Sequence, residues 1–132
     1  MISYRPIGYI EVEGEPSRGK ESLIVIHEEF VEGLVGLDQF SHCIVIYHLD
    51  RTNSFELIKR RNGHEVGVFA TRSPNRPNPI GISVAEILEV TENKVKVRGV
   101  NAYNGTPVLD LKPYDRWDSV QNPKVPSWHQ VQ

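Results

Sequence analysis

The sequence predicts a mainly β protein, a small β-barrel of about six or seven strands with one or two short helices in a single domain. Nearly every periodic segment either alternates apolar with polar residues or is a short run of β-branched and aromatic residues, and both patterns are typical of strands. Many short strands with few helices favour a barrel or a strongly bent sheet. The chain has 132 residues, which suits one domain, because two would each lie near the lower limit of independent stability.

Three strands are predicted in the first part of the chain. Arg5–Val12 has a proline at its entrance, where a strand tolerates the missing N–H group. Ser22–His27 is an apolar run between polar clusters. His42–His48 is rich in β-branched and aromatic residues throughout, which indicates a strand buried on both faces. A helical pattern is limited to about Glu28–Leu37 in this part of the chain.

The middle of the chain is more ambiguous. Ser54–Arg61 carries the second helical pattern, and Val66–Ala70 is a short strand candidate that leads into a proline-rich segment. Ile80–Val90 mixes the two periods, so a helix is an alternative there. Its start directly after a proline and its pairing with the next segment favour a strand.

Two further strands are predicted towards the C-terminus. Lys94–Arg98 alternates cleanly, with its two valines facing inwards, and the polar residues Thr91–Asn93 supply the turn of a hairpin with the preceding strand. Asn104-Gly105 favours a positive φ and precedes a strand at Val108–Leu111. We treat residues 1–132 as one domain, in which 115–132 form an extended arm that packs on another surface, with a second subunit as one candidate.

Composition excludes several classes of protein. No apolar stretch approaches the roughly 18 residues that span a bilayer, so no membrane association is expected. The N-terminus lacks the pattern of a secretory signal. The single cysteine, Cys43, excludes an intramolecular disulfide and is expected to be a small buried apolar residue. These features together predict a cytoplasmic protein.

The charge distribution is uneven. The formal net charge is −2, which is not the basic signature of a nucleic-acid-binding domain. Residues 1–40 hold eight acids and three bases, whereas residues 41–132 hold nine acids and twelve bases. A polyanion would therefore favour a local patch in the C-terminal two thirds of the chain.

The most informative segment is residues 66–83, VGVFATRSPNRPNPIGIS. Its three prolines fall within six residues, and each restricts its own φ and the residue before it, which predicts a stiff, extended loop. Arg72 and Arg76 project from this loop, and stiffness lowers the entropy cost of holding a guanidinium group towards an anion. Two alternatives remain open at this stage, namely a rigid crossover with ordinary salt bridges and a proline-rich ligand for another domain.

The same segment resembles the signature of the TsaA-like (YaeB-like) family of tRNA N6-adenosine methyltransferases. The resemblance extends in order through RPIGYI, GLDQFSHCIVIYHLD and NGTPVLDLKPYD, and covers roughly residues 4–115. It implies a β-barrel enzyme, usually a homodimer, that uses S-adenosylmethionine. It further implies methylation of N6 of a threonylcarbamoyl-modified adenosine beside the anticodon of a tRNA, so the anticodon loop is the expected partner. The sequence has no G-x-G-x-x-G after a strand, so the common dinucleotide-type cofactor fold is not indicated.

The resemblance also implies roles for individual residues. Arg72 matches an arginine associated with the cofactor, and Arg76 matches a second motif arginine that faces the substrate or its phosphate. Asp110 is a candidate proton acceptor, with a structural role as the alternative. The remaining cofactor-binding candidates are His48, Leu49, Ile82, Asn104, Gly105, Thr106 and Pro107.

The chain departs from the family pattern at Asn101 and Asn104, where relatives commonly carry aspartate. An amide still hydrogen-bonds a ribose hydroxyl or an adenine edge, but it brings no charge. No metal-ligand spacing stands out. His42 and His48 would face the same side of one strand but lie about 20 Å apart, so they cannot share a metal ion.

Two other functions stay open from the residues. One is a methyltransferase on the same scaffold that acts on a small molecule, and the other is a non-catalytic module that retains the cofactor pocket. For the enzyme, the methyl donor is already activated, so the chain is expected to contribute alignment and desolvation in a direct displacement.

Overall fold

The computed structural model describes residues 1–129, and the last three residues of the predicted arm lie outside the described residues. Eight strands are present in the described chain. They are β1 (Gly8–Glu11), β2 (Glu21–Ile26), β3 (His42–His48), β4 (Ile58–Arg61), β5 (His64–Gly67), β6 (Ile80–Thr91), β7 (Lys94–Arg98) and β8 (Pro107–Pro113).

Six of these strands close into a barrel in the order β1-β2-β7-β6-β3-β8, with β8 pairing back to β1 and every neighbour antiparallel. The prediction of a mainly β barrel is therefore confirmed. Alternate residues of each strand point into the barrel and form its core, which explains the period-two patterns of the sequence. The fully buried side chains include Ile10, Ile24, Ile26, Cys43, Val45, Val95, Val97 and Val108.

The strand β3 is buried on one face, so the prediction of burial on both faces was wrong. Cys43, Val45 and Tyr47 point into the core, whereas the alternate isoleucines Ile44 and Ile46 are only half-buried on the outer face of the barrel. Apolar residues on an outer face produce a continuous apolar run, which sequence periodicity alone does not separate from a strand buried on both sides.

A hairpin outside the barrel corrects two further predictions. The strands β4 and β5 pair only with each other, through a two-residue turn at Asn62-Gly63 in which both residues have positive φ. The helix predicted at Ser54–Arg61 is therefore wrong, since Ile58–Arg61 is a strand. Val66–Ala70 is not a barrel strand either, because β5 ends at Gly67 and a short 3-10 helix follows. The Asn-Gly dipeptide was the sequence signal for this hairpin.

The helical segments are all short and of the 3-10 type in the described chain. Glu28–Leu34 lies within the helical segment predicted at Glu28–Leu37, whereas Leu37–Gln39 begins at its last residue, and Gly36, at φ +92°, separates the two. The other two are Val68–Ala70 and Arg116–Asp118. No helix within residues 1–129 is long and apolar enough to cross a membrane.

The described part of the arm returns to the β4–β5 hairpin. The side-chain amide of Asn62 donates to the carbonyl oxygen of Trp128 at 2.7 Å, and the rings of His64 and Trp128 lie 6.3 Å apart. Near its start, Asp115 and Asp118 form a reciprocal capping box around the last 3-10 helix. The arm therefore contacts another part of the same chain.

The topology brings the connections that matter for function to one end of the barrel. The strands β1, β3 and β7 end there, and β2, β6 and β8 begin there, because neighbouring strands are antiparallel. Three connections consequently lie side by side: the β1–β2 loop (12–20), the long β3–β6 connection (49–79) and the β7–β8 loop (99–106). We call this the loop end.

Burial of Cys43 gives a testable pH effect. Desolvation raises the pKa of this thiol from 9.0 to about 11, so the folded chain keeps its proton where the unfolded chain loses it. Stability from this group is complete below pH 9.0 and is lost as the pH rises towards about 11. Across that pH window, we expect the free energy of unfolding of wild type to fall by about 2–3 kcal/mol more than that of Cys43→Ala. Urea unfolding at several pH values measures the difference.

The same burial predicts that Cys43 reacts with a thiol reagent only after unfolding. Rapid labelling of the native protein, or identical pH dependence of the two variants, would contradict a buried neutral thiol.

Candidate functional site

A cavity of about 530 Å³ lies at the loop end of the barrel. All three loop-end connections contribute to its lining, together with the last residues of β3 and the first residues of β6. Small-molecule sites commonly occupy about 300–1,000 Å³, so the size suits a nucleotide-sized ligand.

The floor of the cavity is built by Tyr47 of β3. This residue is 5% exposed, and its hydroxyl hydrogen-bonds the Ser83 hydroxyl of β6 at 2.8 Å. Gly81 pairs with Tyr47 across the two strands, and a Cβ at Gly81 would lie 2.4 Å from the ring carbon Cε2. The absence of a side chain at Gly81 therefore lets the tyrosine ring lie across the strand.

One wall is an unpaired strand edge. The pairing of β6 with β7 begins only at Glu86, so residues 80–85 of β6 pair with β3 on one side and with no strand on the other. Gly99 packs against Val84 and Ala85, which leaves residues 80–83 as the edge beside the cavity. Arg72 covers part of this edge, since its Nη2 donates to the carbonyl oxygen of Ile82 at 2.8 Å. Because N–H and C=O of one strand residue point to the same side, the N–H of Ile82 faces the open edge as well.

The proline-rich loop is held by its own polar groups. Arg76 donates from Nη1 to the carbonyl oxygens of Thr71 at 2.9 Å and Ser73 at 3.1 Å. The buried hydroxyl of Thr71 donates to the carbonyl oxygen of Val68 at 2.7 Å. The Ser73 hydroxyl accepts the N–H of Asn75 at 3.2 Å. The stiffness expected from the prolines is therefore reinforced by hydrogen bonds.

The β7–β8 loop forms another wall through Asn101, Ala102, Tyr103 and Thr106. The buried Thr106 donates from its hydroxyl to the carbonyl oxygen of Tyr103 at 2.7 Å, which closes the loop on itself. Arg51, from the β3–β6 connection, contacts this wall with its Cζ atom 4.1 Å from the centroid of the Tyr103 ring.

The β1–β2 loop completes the rim with Glu15, Pro16 and Arg18. Lys20 shapes this loop, because its ammonium group donates to the backbone carbonyls of Glu13 and Glu15. Arg18 comes from the acidic N-terminal third, so the positive residues of the cavity are not confined to the C-terminal two thirds.

The cavity is more positive than the whole chain. Its lining has four arginines, Arg18, Arg51, Arg72 and Arg76, against the two carboxylates of Glu15 and Asp50. The formal charge of the chain is −2. An anionic ligand is therefore attracted to this end of the barrel in spite of the net charge.

Some of the residues predicted for the site line the cavity, and others do not. Lining the cavity are Arg72, Arg76, Leu49, Ile82, Thr106 and Asn101. Absent from the lining are His48, Asn104, Gly105, Pro107 and Asp110.

The residues outside the cavity have structural surroundings of their own. Asn104 accepts the N–H of Val12 at 3.0 Å through Oδ1, an interaction that an aspartate would also make. Gly105 has φ +88° and donates its N–H to Ile10, and Pro107 begins β8 opposite Tyr9. His48 is exposed at the end of β3.

Asp110 lies on the outer face of the barrel. It stands opposite Ile46 of β3, and its carboxylate contacts Lys112 Nζ at 3.6 Å and accepts the N–H of Leu111 at 2.8 Å. We therefore assign Asp110 no role as a proton acceptor in the cavity of the same chain.

Sequence reasoning missed Tyr47, Gly81, Arg51, Tyr103 and the β1–β2 loop. The alternation of β3 would have placed Tyr47 on the inner face, together with Cys43 and Val45. No local pattern shows that Arg51 and Tyr103 meet, because they lie 52 positions apart in sequence and the barrel closure brings them together.

The described residues hold no cluster of histidine, cysteine or carboxylate side chains suited to a metal ion. His42 has local partners, since its Nδ1 lies 2.7 Å from the Ser41 hydroxyl and its ring packs edge-on to Tyr114 at 6.2 Å.

Comparison with known proteins identifies the family. A family model described as the tRNA-methyltransferase O N-terminal domain matches residues 9–118 of this chain. The chain belongs to this family. The resemblance inferred from the sequence motifs is thereby confirmed, and the matched range contains all eight strands except the first residue of β1.

Several relatives and a solved structure are similar to the chain. An S-adenosyl-L-methionine-binding protein of Archaeoglobus fulgidus is 45% identical over 95 residues, covering 70% of this chain and 68% of the relative. The human tRNA (adenine(37)-N6)-methyltransferase is 39% identical over 70% of this chain and 22% of its own length. A crystal structure of TrmO from Pseudomonas aeruginosa has a TM-score of 0.80 at 30% identity, over 96% of this chain and 61% of that one. The chain therefore spans less than two thirds of that solved structure.

Proposed function

We propose that this chain is an S-adenosylmethionine-dependent methyltransferase that acts on N6 of a threonylcarbamoyl-modified adenosine next to the anticodon of a tRNA. The observation that carries the proposal is the arginine-rich cavity at the loop end, which is built from the segments that resemble the family signature. Relatives named as S-adenosyl-L-methionine-binding proteins and as tRNA (adenine(37)-N6)-methyltransferases support both the cofactor and the substrate.

The chemical groups of the cavity fit S-adenosylmethionine. Leu49 and Ile82 offer apolar surface, and the open edge of β6 offers a backbone N–H beside it. Arg72 keeps part of its guanidinium fork for the cavity, since only Nη2 is used by Ile82, and a fork suits a carboxylate. The buried Tyr47 and Thr106 close the interior against bulk water.

The chain contributes position and desolvation to the reaction. When bound, S-adenosylmethionine supplies an activated methyl group. The proline-stiffened loop and the β6 edge would hold one reactant, and the rim of the β1–β2 and β7–β8 loops leaves an approach for the second. Fixing both in a rigid cavity removes much of the entropy cost of their encounter.

A direct test is the incubation of the protein with S-adenosylmethionine and tRNA that carries the threonylcarbamoyl modification, followed by mass spectrometry of the nucleosides. The expected product is the N6-methylated nucleoside at the position beside the anticodon. Binding of adenosylhomocysteine without transfer to any tRNA would contradict the RNA substrate and favour a small-molecule substrate or a binding module.

We expect Arg72→Ala to weaken the binding of adenosylhomocysteine by about 1–3 kcal/mol, the scale of a lost charged hydrogen bond. The loss combines a direct contact with the release of the proline loop from Ile82. Isothermal titration calorimetry measures the change. Arg116→Ala, an exposed arginine on the arm, is the matched control and should bind as wild type does. Equal affinities for wild type and Arg72→Ala would refute the role of Arg72.

We further propose a homodimer that uses the outer face of β3 and β6. Ile80, Ile82 and Val84 are 44%, 45% and 49% exposed on that face. The half-buried Ile44 and Ile46 stand beside them on β3. Two of these residues, Ile80 and Ile82, also line the cavity, so a second copy seated here would border the site. Sedimentation velocity at micromolar concentration tests this proposal.

The proposed location, the cytoplasm, agrees with a single reduced thiol.

A further inference from the structure

We propose that Arg51, held against the ring of Tyr103, binds a phosphate group of the RNA strand at the mouth of the cavity. This inference rests on the proposed RNA substrate and names one of its contacts. It concerns two residues that the sequence motifs did not single out.

The geometry prepares Arg51 for an anion. Its Cζ atom lies 4.1 Å from the centroid of the Tyr103 ring, so the flat guanidinium group is positioned by a cation–π contact. Arg51 belongs to the long connection after β3 and Tyr103 to the β7–β8 loop, so the pair bridges two walls of the cavity. Fixing the guanidinium group beforehand lowers the entropy cost of binding.

The hydrogen-bond donors of Arg51 are not used elsewhere in the described chain. Residues 1–129 offer it no carboxylate within ion-pair distance. The two arginines of the proline-rich loop differ, because Arg72 and Arg76 each donate to backbone carbonyls. Arg18 on the rim likewise has no hydrogen-bond or ion-pair partner among residues 1–129, but Arg51 differs from it because the Tyr103 ring holds its guanidinium group in place. Arg51 therefore combines a free fork with a fixed position.

Exposure favours a phosphate over the carboxylate of the cofactor. Tyr103 is 44% exposed and Arg51 is exposed as well, so the pair lies at the rim, whereas the groups around the interior, such as Tyr47 and Thr106, are buried. The lining has four arginines and two carboxylates, which attracts a polyanion to this rim. A planar fork matches two oxygens of one phosphate group.

The test measures the affinity for an anticodon stem-loop RNA by fluorescence anisotropy over a series of salt concentrations. Arg51→Ala should weaken binding about tenfold and should lower the slope of log K against log salt by about 0.7, the value for one lost phosphate contact on a single strand. Arg51→Lys should keep the slope but lose part of the affinity, because lysine keeps the charge without the fork. Tyr103→Phe should match wild type, and Tyr103→Leu should lie between wild type and Arg51→Ala.

The chain offers a matched control at the opposite end of the barrel. Arg5 also stacks on an aromatic ring, with its Cζ atom 5.1 Å from the centroid of Phe30, but it precedes β1 and lies away from the loop end. Arg5→Ala removes the same charge and the same kind of contact, and it should leave RNA affinity unchanged. An equal loss for Arg5→Ala and Arg51→Ala would overturn the inference, because net charge alone would then explain the effect.

Calorimetry with two nucleosides distinguishes the two sources of an anionic ligand. Methylthioadenosine lacks the carboxylate of adenosylhomocysteine. The inference is wrong, and Arg51 holds the cofactor, if Arg51→Ala weakens the binding of adenosylhomocysteine alone and leaves the affinity for RNA unchanged.

Failure of the proposed function is a separate result: wild type would bind RNA through Arg51 without transferring a methyl group. If wild type binds no RNA at any salt concentration, both the inference and the RNA substrate are refuted.

Discussion

Replacement of Gly81 by alanine is expected to lower the free energy of unfolding by about 1–3 kcal/mol, the usual cost of overpacking, and to remove measurable binding of adenosylhomocysteine. The new Cβ would meet the Tyr47 ring at 2.4 Å, so the ring has to leave its place on the floor of the cavity. The hydrogen bond between the hydroxyls of Tyr47 and Ser83 would be lost with it. Urea unfolding and calorimetry measure the two effects.

Two variants test the cause of this effect. Gly33→Ala adds the same methyl group in open space within a 3-10 helix, and its stability and ligand binding should be close to wild type. Combining Gly81→Ala with Tyr47→Leu removes the ring that causes the clash, so the double variant should be more stable than the sum of the single changes predicts. If the changes in the free energy of unfolding simply add, the clash with the Tyr47 ring is not the cause of the lower stability.

Introduction of a charge on the outer face, Val84→Glu, is expected to convert the proposed dimer to a monomer. Val84 is 49% exposed, stands opposite Ile44, and does not line the cavity. Burial of a carboxylate among the apolar side chains of this face is expected to cost about 3 kcal/mol or more and to raise the dissociation constant about 100-fold or more. Sedimentation velocity over a range of concentrations measures the shift.

The control for this experiment is Val35→Glu, at an exposed valine in the connection between β2 and β3 at the other end of the barrel. It should sediment as wild type does. A wild type that is monomeric at all concentrations would refute the dimer, and a dimeric Val84→Glu variant would show that another surface is used.

Much of the barrel was predictable because its signals are local. Lys94–Arg98 alternates with a period of two, and β7 has the predicted bounds with Val95 and Val97 fully buried. The turn at Asn104-Gly105 was predicted from the preference of glycine for positive φ, and Gly105 has φ +88°. The hairpin of β4 and β5 was not predicted, although Asn62-Gly63 is a local turn signal, because residues 54–61 have a helical pattern.

The candidate site was predictable only in part, for a physical reason. Arg72 and Arg76 stand in a motif, so their place in the cavity did not depend on knowledge of distant residues. Asn104 and Asp110 also belong to a motif, yet neither lines the cavity. Asn104 accepts a hydrogen bond from the N–H of Val12, and Asp110 forms an ion pair with Lys112. A motif identifies a segment, whereas the direction of each side chain follows from strand register.

By itself, the sequence determined the fold class, the pattern of the barrel strands, the stiff arginine-bearing loop and the family. The first three depend on backbone preferences and on short-range periodicity, which are local properties of the chain. The family follows from the resemblance of its motifs. Only the tertiary structure decided that Tyr47 lies across Gly81, that β7 pairs with β6 only from Glu86 onwards, and that Arg51 meets Tyr103. Each of these is a contact between distant segments, set by barrel closure and register, and a shift of one residue would turn every side chain of a strand to its other face.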